Sequence, residues 1–318
     1  MIMGFYLKYS FIIRKNMKEN FTQFLNNLRL TQNQREDAQK KYQGVIDCLA
    51  RHFYDRNHND CDQYLFGSYK TKTAIRPIEG GSDVDVLFKI NKDVYEKYEN
   101  NTSGLLQECR NALKDTYSTT DEIHAWGKVV LVKFCDGTHN VEVLPALEKD
   151  DSKFSIPNTE DGGSWDDFDP RSQVDSFQNS NETTFGLTRA CAMMVKNWVR
   201  NTSTLEYKSY RVIEDVIQFT NKIYPNGKGD ENYDVIIRDF FQFWMRRISY
   251  SDTRKSHFQT ALDRANKAVE YEKEGKHIEA SEEWRKIFNP SLFPHSNKNE
   301  EKRDEIKHFS SAAKPWSI

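Results

Sequence analysis

Two aspartates separated by one residue, Asp83 and Asp85, are the side chains of this sequence best suited to bind a metal ion. They lie in the run DVDVLF at residues 83–88, whose alternation of acidic and apolar residues predicts a β-strand. Side chains two residues apart on a strand share a face, so both carboxylates project together. Because neighbouring carboxylates repel each other, the pair indicates a cation between them. Mg²⁺, which combines a few carboxylates with phosphate oxygens of a substrate, fits this pattern.

A glycine-serine pair, Gly67 and Ser68, follows the apolar run at residues 64–66. A glycine at the end of a strand lets backbone N–H groups approach an anion closely, and the serine hydroxyl adds a donor. We therefore expect a turn that holds phosphate, connected to the Asp83–Asp85 strand by a loop. Together the two features indicate a site for a nucleoside triphosphate and its metal ion.

A third carboxylate, Glu142, completes the set that two bridging metal ions require. It alternates with Val141 and Val143 in a strand predicted at residues 140–144 and ended by Pro145. A strand at residues 129–134 and the turn signal Asp136-Gly137 predict a hairpin with it. An Asp-x-Asp alone is more often a solvated strand edge. In combination with Gly67-Ser68 and Glu142, the metal-site interpretation is favoured.

The elements that must position these residues can be read from the apolar periodicity. Residues 31–56 predict a long amphipathic helix that begins with a capping box, Thr31 and Gln34. A second helix is predicted at residues 105–117, beside a small mixed sheet. Residues 150–174 are rich in Asp, Gly, Ser and Pro and predict a long ordered loop or a domain crossing. After residue 182 the pattern becomes helical, with a helical pair broken at Gly275.

Composition limits the classes of protein that remain. The chain has 318 residues, of which 30% are charged and 37% hydrophobic, as in soluble globular proteins. A formal net charge of −2 argues against a long nucleic acid as the main ligand, and we expect no membrane association. None of the five cysteines forms a CxxC pair, which indicates a reducing cytosol and a cytoplasmic protein. The apolar N-terminus is a poor signal peptide, and translation starting at Met17 is the alternative to Met1.

The stretch FGSYKTKTAIRPIEGGSDVDVLF resembles the GS…DxD signature of polymerase-beta-like nucleotidyltransferases. With NVEVLPALE and PNTEDGGSWDDFDPR, it is similar to the bacterial cGAS/DncV-like nucleotidyltransferases (CD-NTases) of CBASS anti-phage systems. The resemblance covers residues 21–294. The sequence differs from many members of the family at one position, because it has Glu142 where they have an aspartate.

This resemblance implies an α+β fold of two lobes with the active site in the cleft. Residues 17–180 would form the catalytic core, a mixed sheet with helices and a long N-terminal spine helix. Residues 181–295 would form a helical domain, and residues 296–318 a flexible tail.

The resemblance also assigns roles to single residues. Asp83, Asp85 and Glu142 would be catalytic and would hold two Mg²⁺ ions, with Mn²⁺ able to substitute. Gly67 and Ser68 would contact the triphosphate. From the helical half, three further residues would bind the donor nucleotide: Lys196, Ser209 and Tyr210, the last by stacking on a base.

The implied activity is template-independent joining of nucleoside triphosphates into a cyclic di- or oligonucleotide second messenger, with release of pyrophosphate. The implied partners are a product-activated effector protein and CBASS ancillary proteins. Two alternatives share the same residues. One is a nucleotidyltransferase that modifies an RNA, protein or small-molecule acceptor. The other is a nucleotide-binding scaffold without catalysis.

Overall fold

The computed structural model describes residues 17–59, 62–78, 83–120, 122–151, 153–227 and 232–296. Within it the chain folds into two compact units. Residues 29–182 form the sheet unit, whereas residues 17–28 together with residues 183–296 form the helical unit. The expectations for the N-terminal start and for the tail after Ser296 lie outside the described residues. The α+β fold class is confirmed.

Among the described residues, the sheet unit contains a mixed seven-stranded sheet. Its strands, in chain order, are β1 (Gln63–Leu65), β2 (Asp83–Ile90), β3 (Ile123–Trp126), β4 (Val129–Val132), β5 (Asn140–Glu148), β6 (Phe154–Asn158) and β7 (Ser164–Phe168). The order across the sheet is β1-β2-β5-β4-β3, and β6 pairs with both β5 and β7. Strands β2 and β5 run parallel and the other pairs are antiparallel.

The sheet unit also contains α-helices. They are α2 (Gln32–Tyr54), α3 (Gly67–Lys70), α4 (Lys92–Tyr98), α5 (Thr102–Thr116) and α6 (Pro170–Thr183). The long helix α2 begins as predicted, because the Thr31 side chain accepts from Gln34 N while the Gln34 side chain accepts from Thr31 N. Such a capping box satisfies two N–H groups that the first helical turn leaves without partners.

The two faces of the sheet bury different sets of residues. One face packs Val84, Val86 and Phe88 of β2 against α2 and α5, in the larger core cluster. The opposite face carries Asp83 and Asp85, and further along the strand Leu87 joins a smaller cluster with Phe154 of β6. The acidic end of β2 therefore lies on the face opposite the two long helices.

The sequence predicted that strand β5 ends at Pro145. This prediction is wrong, because the strand continues to Glu148. Its edge opposite β2 pairs with β4 at Val141–Val143 and with β6 at Leu147 and Glu148. Pro145 falls in the interval between these two partners. A proline has no N–H to donate, so it is tolerated where one edge of the strand lacks a partner.

The prediction of a long loop at residues 150–174 is also wrong. This segment forms the β6–β7 hairpin and the start of α6. Phe154 and Ile156 are buried and anchor the hairpin in the smaller core cluster. Gly162 and Gly163, both at positive φ, make the turn between the strands. The polar composition reflects the exposed residues of the hairpin rather than a lack of regular structure.

The helical unit consists of six helices within the described residues. They are α1 (residues 17–28), α7 (Leu187–Arg200), α8 (Ser209–Ile223), α9 (Tyr233–Met245), α10 (Lys255–Lys273) and α11 (His277–Ile287). As predicted, α10 and α11 are separated at Gly275, which has a φ of +76°. Helix α1 belongs here because Phe21 makes edge contacts with Trp284 and Phe293. Among the described helices, none combines the length and apolar character needed to cross a membrane.

Candidate active site

Strand β2 presents Asp83 and Asp85 on one face, as the spacing predicted. Both aspartates are half-buried, and the intervening Val84 and the following Val86 are completely buried on the other face. The buried valines fix the orientation of the strand, because a slip by one residue would bury both carboxylates. The larger core therefore holds the two aspartates on the opposite face.

Glu142 lies on the strand directly beside this pair. In the parallel ladder between β2 and β5, Asp85 is the register partner of Glu142, and Asp83 is that of Asn140. Parallel neighbouring strands lie about 4.8 Å apart, and register partners project from the same face. The predicted adjacency of Glu142 and the aspartate pair is confirmed at the level of the backbone.

Asn140 is a residue of the site that sequence reasoning missed. Its side-chain amide donates to Asp83 Oδ1 across 3.0 Å, which orients that carboxylate. The available signal was its position two residues before Glu142, which puts it on the same strand face. An asparagine in that position is unremarkable until the register between β2 and β5 is known.

The electrostatics of the site suit a cation. The Glu142 side chain is half-buried, and burial followed by the negative charge on Asp83 raises the pKa of its carboxyl. A divalent ion placed beside these groups would offset both effects. The donor set, three carboxylates on one face, thus fits a divalent metal ion.

Within the described residues, no three acidic, histidine or cysteine side chains lie close enough to form a complete metal-binding group. Mg²⁺ commonly takes one or two carboxylates and completes its coordination with water and substrate phosphates. The arrangement of Asp83, Asp85 and Glu142 therefore fits an ion that binds together with a nucleotide.

The Gly67-Ser68 turn lies against the same strand. The backbone N–H of Phe66 donates to the carbonyl of Asp85 at 3.1 Å, and Gly67 opens the short helix α3 with a φ of +62°. A Cβ at Gly67 would lie 2.1 Å from Asp85 Oδ2, so only glycine fits here. The carbonyl of Ser68 accepts from the N–H groups of Thr73 and Ala74. The structure therefore brings Gly67 and Ser68 together with Asp85.

Lys196, Ser209 and Tyr210 belong to the helical unit. Lys196 is buried on α7, with 7% of its surface exposed. Ser209 and Tyr210 are the exposed first two residues of α8, where backbone N–H groups are without helical acceptors. The Tyr210 ring is 54% exposed and has the Arg211 guanidinium 5.5 Å from its centroid. All three residues thus lie in the helical unit, on helices α7 and α8.

A mixed sheet with paired aspartates on one strand, a glutamate on the next and a glycine-serine turn before them is the arrangement that the resemblance to polymerase-beta-like nucleotidyltransferases implies. Residues 16–181, just over half of the chain, match the Second Messenger Oligonucleotide or Dinucleotide Synthetase domain. The chain belongs to this family. It is a nucleotidyltransferase, as the sequence predicted, and enzymes of the family use divalent metal ions.

Relatives of known name agree with this assignment. The chain is 23% identical to a probable cyclic nucleotide synthase of Bacillus cereus (strain VD146), over 73% of this chain and 82% of that protein. Its fold is similar to the CD-NTase CdnG of Bradyrhizobium diazoefficiens in complex with GTP. The TM-score is 0.61 at 10% identity, covering 92% of this chain and 99% of that chain.

Two further solved structures share the fold. One is CdnC of Escherichia coli MS115-1 in complex with HORMA-deltaN, with a TM-score of 0.59, 16% identity and coverage of 87% of this chain and 98% of that chain. The other is the DncV cyclic AMP-GMP synthase of Vibrio cholerae with the linear intermediate 5′ pppA(3′,5′)pG, with a TM-score of 0.55, 13% identity and 90% of each chain covered. The predicted resemblance to CD-NTases is confirmed.

Proposed function

We propose that this enzyme joins nucleoside triphosphates into a cyclic di- or oligonucleotide, using two Mg²⁺ ions held by Asp83, Asp85 and Glu142. The observation that carries the proposal is the register of Asp85 with Glu142, beside a turn where Gly67 leaves room for the Asp85 carboxylate. Mn²⁺ would substitute for Mg²⁺, because both accept carboxylate and phosphate oxygens.

The side chains of the sheet unit have distinct tasks. Asp83, Asp85 and Glu142 would hold the two ions. Bound there, the ions would lower the pKa of the acceptor ribose hydroxyl and offset charge that develops at the donor α-phosphorus. Asn140 holds Asp83 in one orientation through its 3.0 Å hydrogen bond. Ser68, at the start of α3, donates its hydroxyl and backbone N–H to the triphosphate.

We also propose nucleotide-binding roles for three residues of the helical unit. Lys196 offsets negative charge on the donor triphosphate. Ser209, at the N-terminus of α8, adds hydroxyl and backbone donors for phosphate oxygens. The exposed ring of Tyr210 stacks on a base, for which a half-exposed aromatic side chain is well suited.

The ribose hydroxyl of one nucleotide attacks the α-phosphorus of the donor triphosphate, and pyrophosphate leaves. The free hydroxyl of the linear intermediate then attacks the α-phosphorus of the remaining 5′-triphosphate, which closes the ring and releases a second pyrophosphate. The likeness to a probable cyclic nucleotide synthase and to DncV supports a cyclic product. We further propose that the enzyme acts in the bacterial cytoplasm, in CBASS anti-phage signalling, where its product activates an effector protein. The HORMA-deltaN complex of the similar CdnC supports ancillary proteins as partners.

The decisive experiment incubates purified protein with all four radiolabelled nucleoside triphosphates and Mg²⁺ or Mn²⁺. Products are treated with phosphatase, separated by chromatography and identified by mass spectrometry. A phosphatase-resistant cyclic product that the Asp83→Asn/Asp85→Asn variant does not make would support the proposal and identify the bases. A folded wild-type protein that labels only an added RNA or protein acceptor would overturn it.

A further inference from the structure

A hydrogen-bonded relay with a buried histidine at its centre lies beside the proposed active site, formed by Tyr69, His139 and Asp37. The Tyr69 hydroxyl is hydrogen-bonded to His139 Nε2, and His139 Nδ1 lies 3.0 Å from Asp37 Oδ2. The His139 side chain is completely buried. The three residues are far apart in sequence: Tyr69 precedes His139 by 70 residues, and Asp37 precedes it by 102. None of them has a task in the reaction proposed above.

The hydrogen bonds of the relay run in one direction. Burial alone would raise the pKa of Asp37, but hydrogen bonds from His139, Lys41 and Thr138 outweigh it and hold that pKa below its ordinary value. Asp37 is therefore an ionised acceptor, His139 donates from Nδ1, and Nε2 accepts from the Tyr69 hydroxyl. Burial and then the charge on Asp37 raise the pKa of the Tyr69 phenol, which keeps it a donor.

The far end of the relay is anchored in a charged cluster. Lys41, buried on α2 with 9% of its side chain exposed, lies 3.1 Å from Asp37 Oδ2 and 2.6 Å from Asp136 Oδ2. Thr138 also donates to Asp37, at 3.0 Å. Asp37 is thus fixed by both the helix and the turn that precedes β5. A polar network whose members all have partners, here centred on the buried His139 and Lys41, rigidifies the segments that it joins.

The near end of the relay meets the site at two places. Tyr69 follows Ser68 directly in α3, so its hydroxyl fixes the turn proposed to hold phosphate. His139 directly precedes Asn140, whose amide orients Asp83 and whose strand carries Glu142 two residues later. A single histidine therefore connects the phosphate turn with the strand that carries one metal ligand and orients another.

We propose that Tyr69, His139 and Asp37 are positioning residues that align the Gly67-Ser68 turn with Asp83 and Glu142 for binding of a metal–triphosphate complex. This inference rests on the proposed function of that site. A misplacement of reacting groups by about 1 Å can cost about a hundredfold in rate, so residues that touch no substrate can still control turnover.

The test compares two tyrosines of the sheet unit that each lose only a hydroxyl. Tyr69→Phe breaks the relay. Tyr54→Phe is the matched control, because the Tyr54 hydroxyl donates to the Lys89 carbonyl at 3.1 Å and accepts from Asn91 N at 2.9 Å. Those partners lie at the opposite end of β2 from Asp83. Both variants lose a half-buried hydroxyl's hydrogen bonds, so their thermal stabilities should fall by similar amounts.

Three quantities are measured for each variant: the steady-state kcat and KM, the affinity for Mn²⁺ alone by electron paramagnetic resonance, and the Mg²⁺-dependent affinity for non-hydrolysable triphosphate analogues. We expect Tyr69→Phe to lower kcat/KM about tenfold and to weaken analogue binding, as the loss of one well-placed hydrogen bond would. Tyr54→Phe should change none of the three. ¹⁵N NMR, with the His139 signals assigned from a His139→Gln spectrum, should show protonated Nδ1 and unprotonated Nε2 in the wild type.

Equal kinetics and equal binding for the two phenylalanine variants would overturn the positioning role while leaving the proposed function intact. A His139 ring protonated on Nε2 alone would overturn it as well. If the wild type makes no product from any triphosphate, the proposed function fails. The Mg²⁺-dependent analogue affinities of Tyr69→Phe and Tyr54→Phe then still decide whether Tyr69 aligns the site.

Discussion

The carboxylate of Asp85 occupies the space that a side chain at Gly67 would fill. A Cβ built at Gly67 would lie 2.1 Å from Asp85 Oδ2 and 2.9 Å from Asp85 Cγ, far inside normal contact. Gly67 also has a φ of +62°, which residues with a side chain rarely adopt. The proposed phosphate turn can therefore pack against the proposed metal-binding strand only because residue 67 has no side chain.

Gly67→Ala should therefore lower kcat/KM about a hundredfold or more. The new methyl group must displace either the Asp85 carboxylate or the turn, and displacements of about 1 Å at reacting groups have effects of this size. Steady-state pyrophosphate release measures the loss, and circular dichroism shows whether the variant is folded.

Gly275→Ala is the matched control for this substitution. Gly275, between α10 and α11, also has a positive φ, of +76°, but nothing lies within 4 Å of its Cβ position. Both variants carry the strain of an alanine at positive φ, about 1–2 kcal/mol. Only Gly67→Ala disturbs the Asp85 carboxylate, so equal activity losses in the two variants would contradict the fitted arrangement.

Asp83→Asn and Asp85→Asn should each abolish measurable turnover without unfolding the protein. Metal ions supply several kcal/mol of transition-state stabilisation, and each 1.36 kcal/mol is a factor of ten, so a loss of about a thousandfold or more is expected. Asp166→Asn makes the same chemical change on β7, where Asp166 pairs with Lys128 at 2.7 Å, and should keep its activity. Product formation by folded Asp85→Asn protein would refute the assignment.

Glu142→Gln should stabilise the protein in EDTA while removing activity. Burial and the charge on Asp83 raise the pKa of Glu142 in the folded state, so the folded protein binds this proton more tightly than the unfolded chain. Stability therefore falls as pH rises from the ordinary carboxyl pKa through the raised one. The uncharged glutamine carries no such penalty.

Thermal unfolding in EDTA from about pH 4 to about pH 8 tests whether the charge on Glu142 destabilises the metal-free protein. The melting temperature of Glu142→Gln should exceed that of the wild type by a few degrees at neutral pH, and the difference should shrink as the solution is acidified. Adding Mg²⁺ with a triphosphate analogue should then stabilise the wild type more than the variant. A variant less stable than the wild type at every pH would show that Glu142 has a favourable partner instead.

Local signals in the sequence predicted much of the sheet unit. The capping box of α2 and the alternation of β2 depend on residues within a few positions of each other, where backbone geometry determines the outcome. The loop predicted at residues 150–174 failed because polar composition concealed Phe154 and Ile156, which are buried in the core of the β6–β7 hairpin.

Long-range contacts explain what the sequence could not predict. The end of β5 at Pro145 was misplaced because the unpaired interval on its edge is set by where β4 and β6 stop. The hydrogen bond between Asn140 and Asp83 depends on the register of two strands whose residues are 57 positions apart. The Tyr69–His139–Asp37 relay spans still longer separations, and no local pattern marks its members.

Substitutions of Tyr210 test whether its ring stacks on a base or only contributes to folding. Its ring is 54% exposed, so Tyr210→Ala should leave the melting temperature nearly unchanged. Stacking of a base on an aromatic ring contributes about 1–3 kcal/mol, so the KM for the stacked nucleotide should rise at least about fivefold. Tyr210→Phe keeps the ring and should retain the wild-type KM. Wild-type kinetics for Tyr210→Ala with every nucleotide would remove Tyr210 from the site, whereas losses in both variants would assign the function to its hydroxyl rather than to stacking.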